Sequence, residues 1–281
     1  MKFGLTMFAT DLTIPVTEIA VAAEERGFTS LFVSEHTHLP TSRRSNLPMF
    51  DELPVEYGHT LDPLIALTAA AGATRTLRLG TGVCLLAQRE PIVTAKAVAS
   101  LDLLSGGRFE FGVGFGWNEE EAEDHGVVWS RRRGAVRERV LAMRELWREE
   151  VASYDGRHVR FSPSWCWPKP LQEGGPPVLL GGFGGPVLAG HVAEYGDGWL
   201  PVGSMSVEHG LPQIRAACER IGRNPAELRI IPCGGFPPTP AELERYRELG
   251  VIEEVVLTVP HAPRHEVLTT LDHYAKTLLT E

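Results

Sequence analysis

Apolar positions along this chain alternate between short continuous runs and stretches with the three-to-four-residue spacing of one helix face. Phe3–Phe8 is a run of the first kind. Val16–Arg26 is of the second kind, with Ile19, Ala20 and Ala23 as its apolar stripe and Gly27 placed to end it. The alternation continues to the end of the chain. Strands are predicted at Ser30–Ser34, Leu77–Val83, Arg108–Val113, Pro177–Leu180, Gly198–Pro201, Leu228–Pro232 and Val255–Thr258. Helices are predicted at Pro63–Ala73, Ile92–Leu104, Arg132–Glu149, Pro186–Tyr195, Val207–Ile221, Ala241–Leu249 and His265–Leu279. Strand then helix, eight times over, is the count of an α/β fold of the (β/α)8 TIM-barrel type. Continuous apolar strands are what a parallel sheet covered on both faces requires. An open doubly wound sheet is the alternative, but its glycine-rich first turn is missing: the first strand runs out as Met7-Phe8-Ala9-Thr10-Asp11. Residues 1–281 read as a single domain without linker or repeat.

Two connections are long. Glu35–Thr60 follows the second strand and carries Pro40, Pro48 and Pro54 with two aromatics. It leaves the C-terminal end of a strand, where active sites of this fold lie. Ala152–Pro176 follows a helix and holds a hairpin-like Tyr154–Phe161 segment, which suggests a structural or subunit-contacting role. A net charge of −9 argues against a nucleic-acid partner, and no apolar stretch is long enough for a membrane span. The first residues lack the pattern of a secretion signal, so a cytoplasmic protein is expected. Cys84, Cys166, Cys218 and Cys233 are far apart and form neither a zinc spacing nor a disulfide framework, and no metal is expected.

Four segments carry candidate chemistry. Ser34-Glu35-His36-Thr37-His38 lies just past the second strand; His36 is either a proton donor to a bound ring or substrate, or a histidine bonded to backbone. A His36/His38 metal pair lacks a third ligand. Leu79-Gly80-Thr81-Gly82-Val83 places glycines at a strand end, either to admit a flat ligand or as a plain turn. Gly112, Gly114 and Gly116, within Gly112–Asn118, superficially match a dinucleotide fingerprint but leave room more readily for a ligand plane. The acidic run Glu119–Asp124 reads as a helix start favoured by the macrodipole, with no catalytic weight. Leu179–Pro186 runs a strand through glycines into a helix, which suits a phosphate or tight strand–helix packing. Arg131-Arg132-Arg133 reads as a solvated helix start rather than a cofactor-tail site.

Taken together, Ala22–Phe28 with Ser34–His36, Leu79–Val83, Ala97–Arg108, Gly112–Asn118 and Tyr195–Pro201 resemble the bacterial luciferase-like flavin and deazaflavin oxidoreductases, in particular their actinobacterial F420-dependent group. The resemblance runs nearly the whole chain in order. It implies a (β/α)8 barrel with a flavin or deazaflavin ring at the C-terminal mouth, and a cis peptide bond at Gly82–Val83 beside that ring. It implies a ring-facing catalytic His36 next to Glu35, and ring contacts from Gly82, Val83, Gly114, Phe115, Gly116 and Trp117. It further implies a phosphate cradle at Gly181 and Gly182, and cofactor contacts at Pro201, Val202, Gly203 and Ser204. The expected activity is hydride transfer between coenzyme F420 and a small-molecule substrate, in a homodimer. The alternatives are a reduced-FMN-dependent monooxygenase and a non-catalytic cofactor-binding relative. Val207–Leu228, with three Arg and no Lys, speaks against a sugar phosphate substrate.

Overall fold

In the computed structural model, residues 1–42, 44–45 and 52–279 are described. Pro48 and Phe50 of the long connection lie outside them. The first half of the chain folds as β1 (Lys2–Met7), α1 (Val16–Glu25), β2 (Ser30–Val33), α2 (Pro63–Ala73), β3 (Arg78–Thr81), α3 (Pro91–Ser105), β4 (Phe109–Val113), α4 (Glu119–Asp124) and α5 (Arg132–Arg148). A hairpin of β5 (Ala152–Asp155) and β6 (Arg160–Ser164) follows. The second half comprises β7 (Val178–Gly181), α6 (Pro186–Tyr195), β8 (Gly198–Leu200), α7 (Gly203–Arg220), β9 (Arg229–Ile230), β10 (Cys233–Gly235), α8 (Pro240–Leu249), β11 (Glu254–Thr258) and α9 (Arg264–Leu278).

Outside the hairpin, the strands form one curled parallel sheet in the order β10-β11-β1-β2-β3-β4-β7-β8-β9. The expected seventh strand is split. Pro232, which has no N–H to give to a ladder, lies between the two pieces β9 and β10. Helix starts follow their caps. Asp62 accepts from the N–H groups of Leu64 and Ile65 at 2.9 and 3.0 Å, with Pro63 at the first helical position. Glu90 caps Val93 at 2.6 Å, which starts α3 at Pro91. α7 begins at Gly203, before the expected Val207, and continues through Pro212. α4 is an additional short helix, capped by Asn118, whose Oδ1 accepts from the Glu121 N–H at 3.0 Å.

The main core lies between sheet and helices. A smaller apolar cluster of Phe32, Leu179, Leu200, Ile231 and Val256 lines the concave interior, with Val83 and Cys233 against it. The N-terminal ends of the strands hold a buried charge cluster. Arg78 bonds Glu110 at 2.6 Å and also Glu254; Arg229 bonds Glu110 at 2.8 Å; Thr29 and Ser30 donate to Glu254 at 2.6 and 2.7 Å. Both carboxylates are almost fully buried. A Cβ at Gly4 would overlap the Ser30 hydroxyl, so glycine in β1 leaves the space the cluster occupies. Among the described residues, no helix is long and apolar enough to cross a membrane, and no group of three or more His, Cys, Asp or Glu could hold a metal ion.

Candidate active site

The C-terminal ends of β1 to β4 bring together His36, Tyr57, Trp117 and Phe8. The Phe8 and Tyr57 rings are 4.5 Å apart, and those of His36 and Trp117 meet edge-on at 5.5 Å. Tyr57 lies 5.5 Å from His36 and 6.2 Å from Trp117. His36 is only 7% exposed. Its backbone is held by Thr60, whose hydroxyl donates to the His36 carbonyl at 2.6 Å and accepts from its N–H at 3.2 Å.

Both ring nitrogens of His36 have partners. Nδ1 is 2.7 Å from Glu121 Oε2, and Nε2 is 3.2 Å from Trp117 Nε1. An indole N–H only donates, so Nε2 accepts and the ring proton resides on Nδ1, facing the carboxylate. Glu121 is fully buried. Its Oε1 accepts from the Thr37 N–H at 2.9 Å and from the Thr37 hydroxyl at 3.2 Å. Burial pushes its carboxyl up, but bonds from His36 and Thr37 outweigh that and hold it below the usual range.

The acidic helix is therefore more than a macrodipole complement. Glu120 accepts from the Ser42 hydroxyl and from the N–H groups of Arg44 and Ser45 at 2.7 and 2.6 Å. The Ser42 bond first, with those two N–H groups, holds its carboxyl at about 2 against burial. Arg44 reaches Glu123 at 2.7 Å, and His38 reaches Asp124 at 3.0 Å. The connection after β2 is thus laid across α4 by one carboxylate after another. His38 faces this surface, away from His36.

Several expected site residues do other work. Glu35 is buried, with its carboxylate on the Leu85 N–H at 2.6 Å and on Arg89 Nε at 2.7 Å, and Arg89 continues to Asp62 at 2.6 Å. The carboxylate so committed fixes the chain past β3. Burial, with the Glu35 charge beside it, pushes the neighbouring Cys84 thiol up. The Gly82–Val83 bond is cis, as expected. The glycines around it make room for neighbouring protein atoms. A Cβ at Gly80 would overlap the Phe32 ring, one at Gly112 the Thr81 carbonyl, and one at Gly114 or Gly181 the Val83 side chain. Gly116, at φ +75°, is different: a Cβ there would meet nothing within 4 Å.

Phe115 is buried between the Arg133 guanidinium, 4.7 Å from its centroid, and the His191 ring at 5.6 Å. Burial first, then Arg133, pushes His191 below its ordinary value. Arg132 stacks on Trp129 at 3.5 Å rather than standing in solvent. The expected phosphate cradle lies at the turn from β7 into α6. The Gly182 N–H is given to the Leu200 carbonyl at 3.2 Å, and the Gly182 carbonyl accepts from Trp199 Nε1 at 3.0 Å. Pro201 is buried, Val202 exposed, and Gly203 opens α7 at φ +70°. The Ser204 side chain lies outside the described residues.

Glu121, Tyr57 and Thr60 were missed from sequence. Asn118 as a helix cap gives the position of Glu121 on α4, but its partner is 85 residues away.

Comparison with known proteins agrees with this architecture. The model of the luciferase-like monooxygenase family matches residues 14–275. An uncharacterized protein of Mycobacterium tuberculosis is 41% identical over 257 residues, 90% of each chain. The F420-dependent hydroxymycolic acid dehydrogenase of the same organism is 26% identical, over 93% of this chain and 82% of its own. The crystal structure of the monooxygenase RslO1 from Streptomyces bottropensis has the same fold, with a TM-score of 0.81 at 24% identity over 99% of both chains. On the match over residues 14–275, the chain belongs to the luciferase-like monooxygenase family.

Proposed function

We propose that this protein is an oxidoreductase that passes a hydride between the deazaflavin F420 and a small organic substrate. The observation that carries this is His36, with Nδ1 on the Glu121 carboxylate and Nε2 facing the Trp117 indole N–H, held at the strand ends inside an aromatic wall of Phe8, Tyr57 and Trp117. Such a group accepts a proton from a substrate hydroxyl, or returns one, beside a redox ring. F420, when bound, supplies the hydride-carrying carbon; the redox chemistry belongs to it and the protein orients the reactants. Val83, Gly116 and Trp117 would hold the ring side, and Pro201, Val202, Gly203 and Ser204 the opposite rim. The fit rests on Gly116 and Gly203, where the backbone is open and a Cβ would meet no atom within 4 Å. The F420 dependence of the hydroxymycolic acid dehydrogenase, aligned over 93% of this chain, supports the choice of cofactor.

In this reading residues 1–281 form one domain, and the sheet closes as a (β/α)8 barrel with β9 and β10 as halves of one strand. Ile231 N–H to Trp199 O at 3.0 Å and Cys233 N–H to Pro201 O at 2.9 Å support one side of that strand. Val256 N–H to Pro232 O at 2.8 Å supports the other. Equilibrium titration with F420 and FMN, each oxidised and reduced, tests the cofactor. F420 is expected to bind more tightly. Equal or weaker F420 binding moves the assignment to a reduced-FMN-dependent monooxygenase.

A homodimer is part of the same proposal. Ile65 on α2 and Val93 and Leu104 on α3 are 73%, 68% and 67% exposed, and a second copy would cover such side chains. Light scattering at micromolar concentration is expected to give twice the monomer mass; a monomer alone contradicts the dimer.

A further inference from the structure

We infer that Glu121 is a positioning residue for His36, fixing the proton on Nδ1 and so reserving Nε2 for the ligand; this rests on the reading of His36 as the proton-exchanging group. Three observations converge. Glu121 Oε2 is 2.7 Å from Nδ1, and the carboxylate is fully buried. Its other oxygen is occupied by the Thr37 N–H and hydroxyl, so it cannot swing away. On the far side of the ring, Trp117 Nε1–H points at Nε2 from 3.2 Å, which is compatible only with an Nε2 lone pair.

The ring is thus held from both ends, by an acceptor on one nitrogen and a donor on the other. Glu121 is anchored from α4, which Asn118 caps at Glu121 itself, and the connection that carries His36 is tied to the same helix. The two ends differ in permanence. Glu121 is enclosed, whereas Trp117 is partly exposed on the rim and is the partner a ligand oxygen replaces. When that oxygen is a hydroxyl, its proton passes to Nε2 as the carbon bearing it would give up its hydride to the cofactor and become a carbonyl; the Nδ1 proton stays where it is, and the resulting imidazolium faces the Glu121 carboxylate. In the opposite direction the Nε2 proton returns to the substrate oxygen and the ring is neutral again. A carboxylate that orients and then stabilises a histidine in this way acts without touching substrate.

The test uses the full chain labelled with nitrogen-15 at histidine, with the His36 signals assigned by their loss in His36→Asn. Wild type is expected to show a protonated Nδ1 and an unprotonated Nε2. An unprotonated Nδ1 in wild type overturns the inference, whatever the variants do. In Glu121→Gln the amide NH2 can donate to Nδ1, so the ring proton is expected to move to Nε2. Turnover with F420 is then expected to fall about 10²–10⁴-fold in kcat, with KM little changed. The double variant Glu121→Gln/His36→Asn is expected to lose no more than His36→Asn alone. An unchanged ring spectrum and unchanged turnover in a folded Glu121→Gln protein would leave Glu121 a purely structural residue and overturn the inference. Wild-type turnover in His36→Asn defeats the catalytic reading of His36 instead, while the ring spectrum still judges Glu121 by itself.

Discussion

Replacing His36 by asparagine is expected to lower kcat about 10²–10⁴-fold, or about 3–5 kcal/mol of barrier, at a melting temperature close to wild type. The asparagine amide NH2 takes roughly the place of Nδ1 and can still donate to Glu121, while Nε2 is removed. Alanine is a poorer probe. His36 is buried and not on an open rim, so His36→Ala withdraws a partner from the buried Glu121 carboxylate and costs about 1–3 kcal/mol of stability besides. Steady-state kinetics and thermal unfolding on both variants separate the two effects. An asparagine variant with wild-type turnover removes His36 from the chemistry.

The largest loss of stability is expected at the opposite end of the strands. Arg78→Met strips a cation from two carboxylates, Glu110 and Glu254, that are both almost wholly buried. Breaking a buried ion pair from one side costs about 3–5 kcal/mol, because the remaining charge has lost its compensation. At about 2–4 °C per kcal/mol, unfolding should begin roughly 6–20 °C earlier. Arg78→Met/Glu254→Gln removes charge from both sides and is expected to be milder than the single change. Per folded molecule, catalysis should be unaffected, because the cluster lies at the far ends of the strands from His36. A drop of less than about 1 kcal/mol in Arg78→Met would mean that water or Arg229 compensates Glu110 without it.

How much of this was legible in the sequence depended on the range of the interaction. The strand and helix alternation came through because apolar runs and caps act within a few residues: Asp62-Pro63, Gly106 and Thr239-Pro240 are all local signals. The split at Pro232 was readable in principle from its missing N–H. The early start of α7 was hidden by Gly203, a residue that commonly marks a loop. His36 stood out as a candidate from its place past β2, and the cis Gly82–Val83 bond was expected from resemblance. Glu121 was passed over because an acid in the first turn of a helix already has a local explanation. Its burial is decided by a connection arriving from another part of the chain. Glu35 is the mirror case: its neighbour His36 turns to the aromatic cluster, and alternation along the extended chain turns the Glu35 carboxylate to Arg89. In Phe109–Val113, Glu110 inside an apolar strand was the visible signal of the charge cluster and was not used.

Val83 ties three distant positions into one shared volume. Its two methyl groups fill the room that side chains at Gly114 and Gly181 would need, one methyl toward each strand. Adding a methyl at either glycine therefore collides with Val83, and trimming Val83 alone leaves a void. Made together with Val83→Ala, which gives up two methyls, a methyl added at each of the two glycines exchanges carbon for carbon. These sites should accept or reject substitutions in pairs, so that a residue harmful in this chain is harmless in a relative with a smaller residue at position 83. Diversity on this part of the interior then advances by swaps across strands, through intermediates less stable than either end.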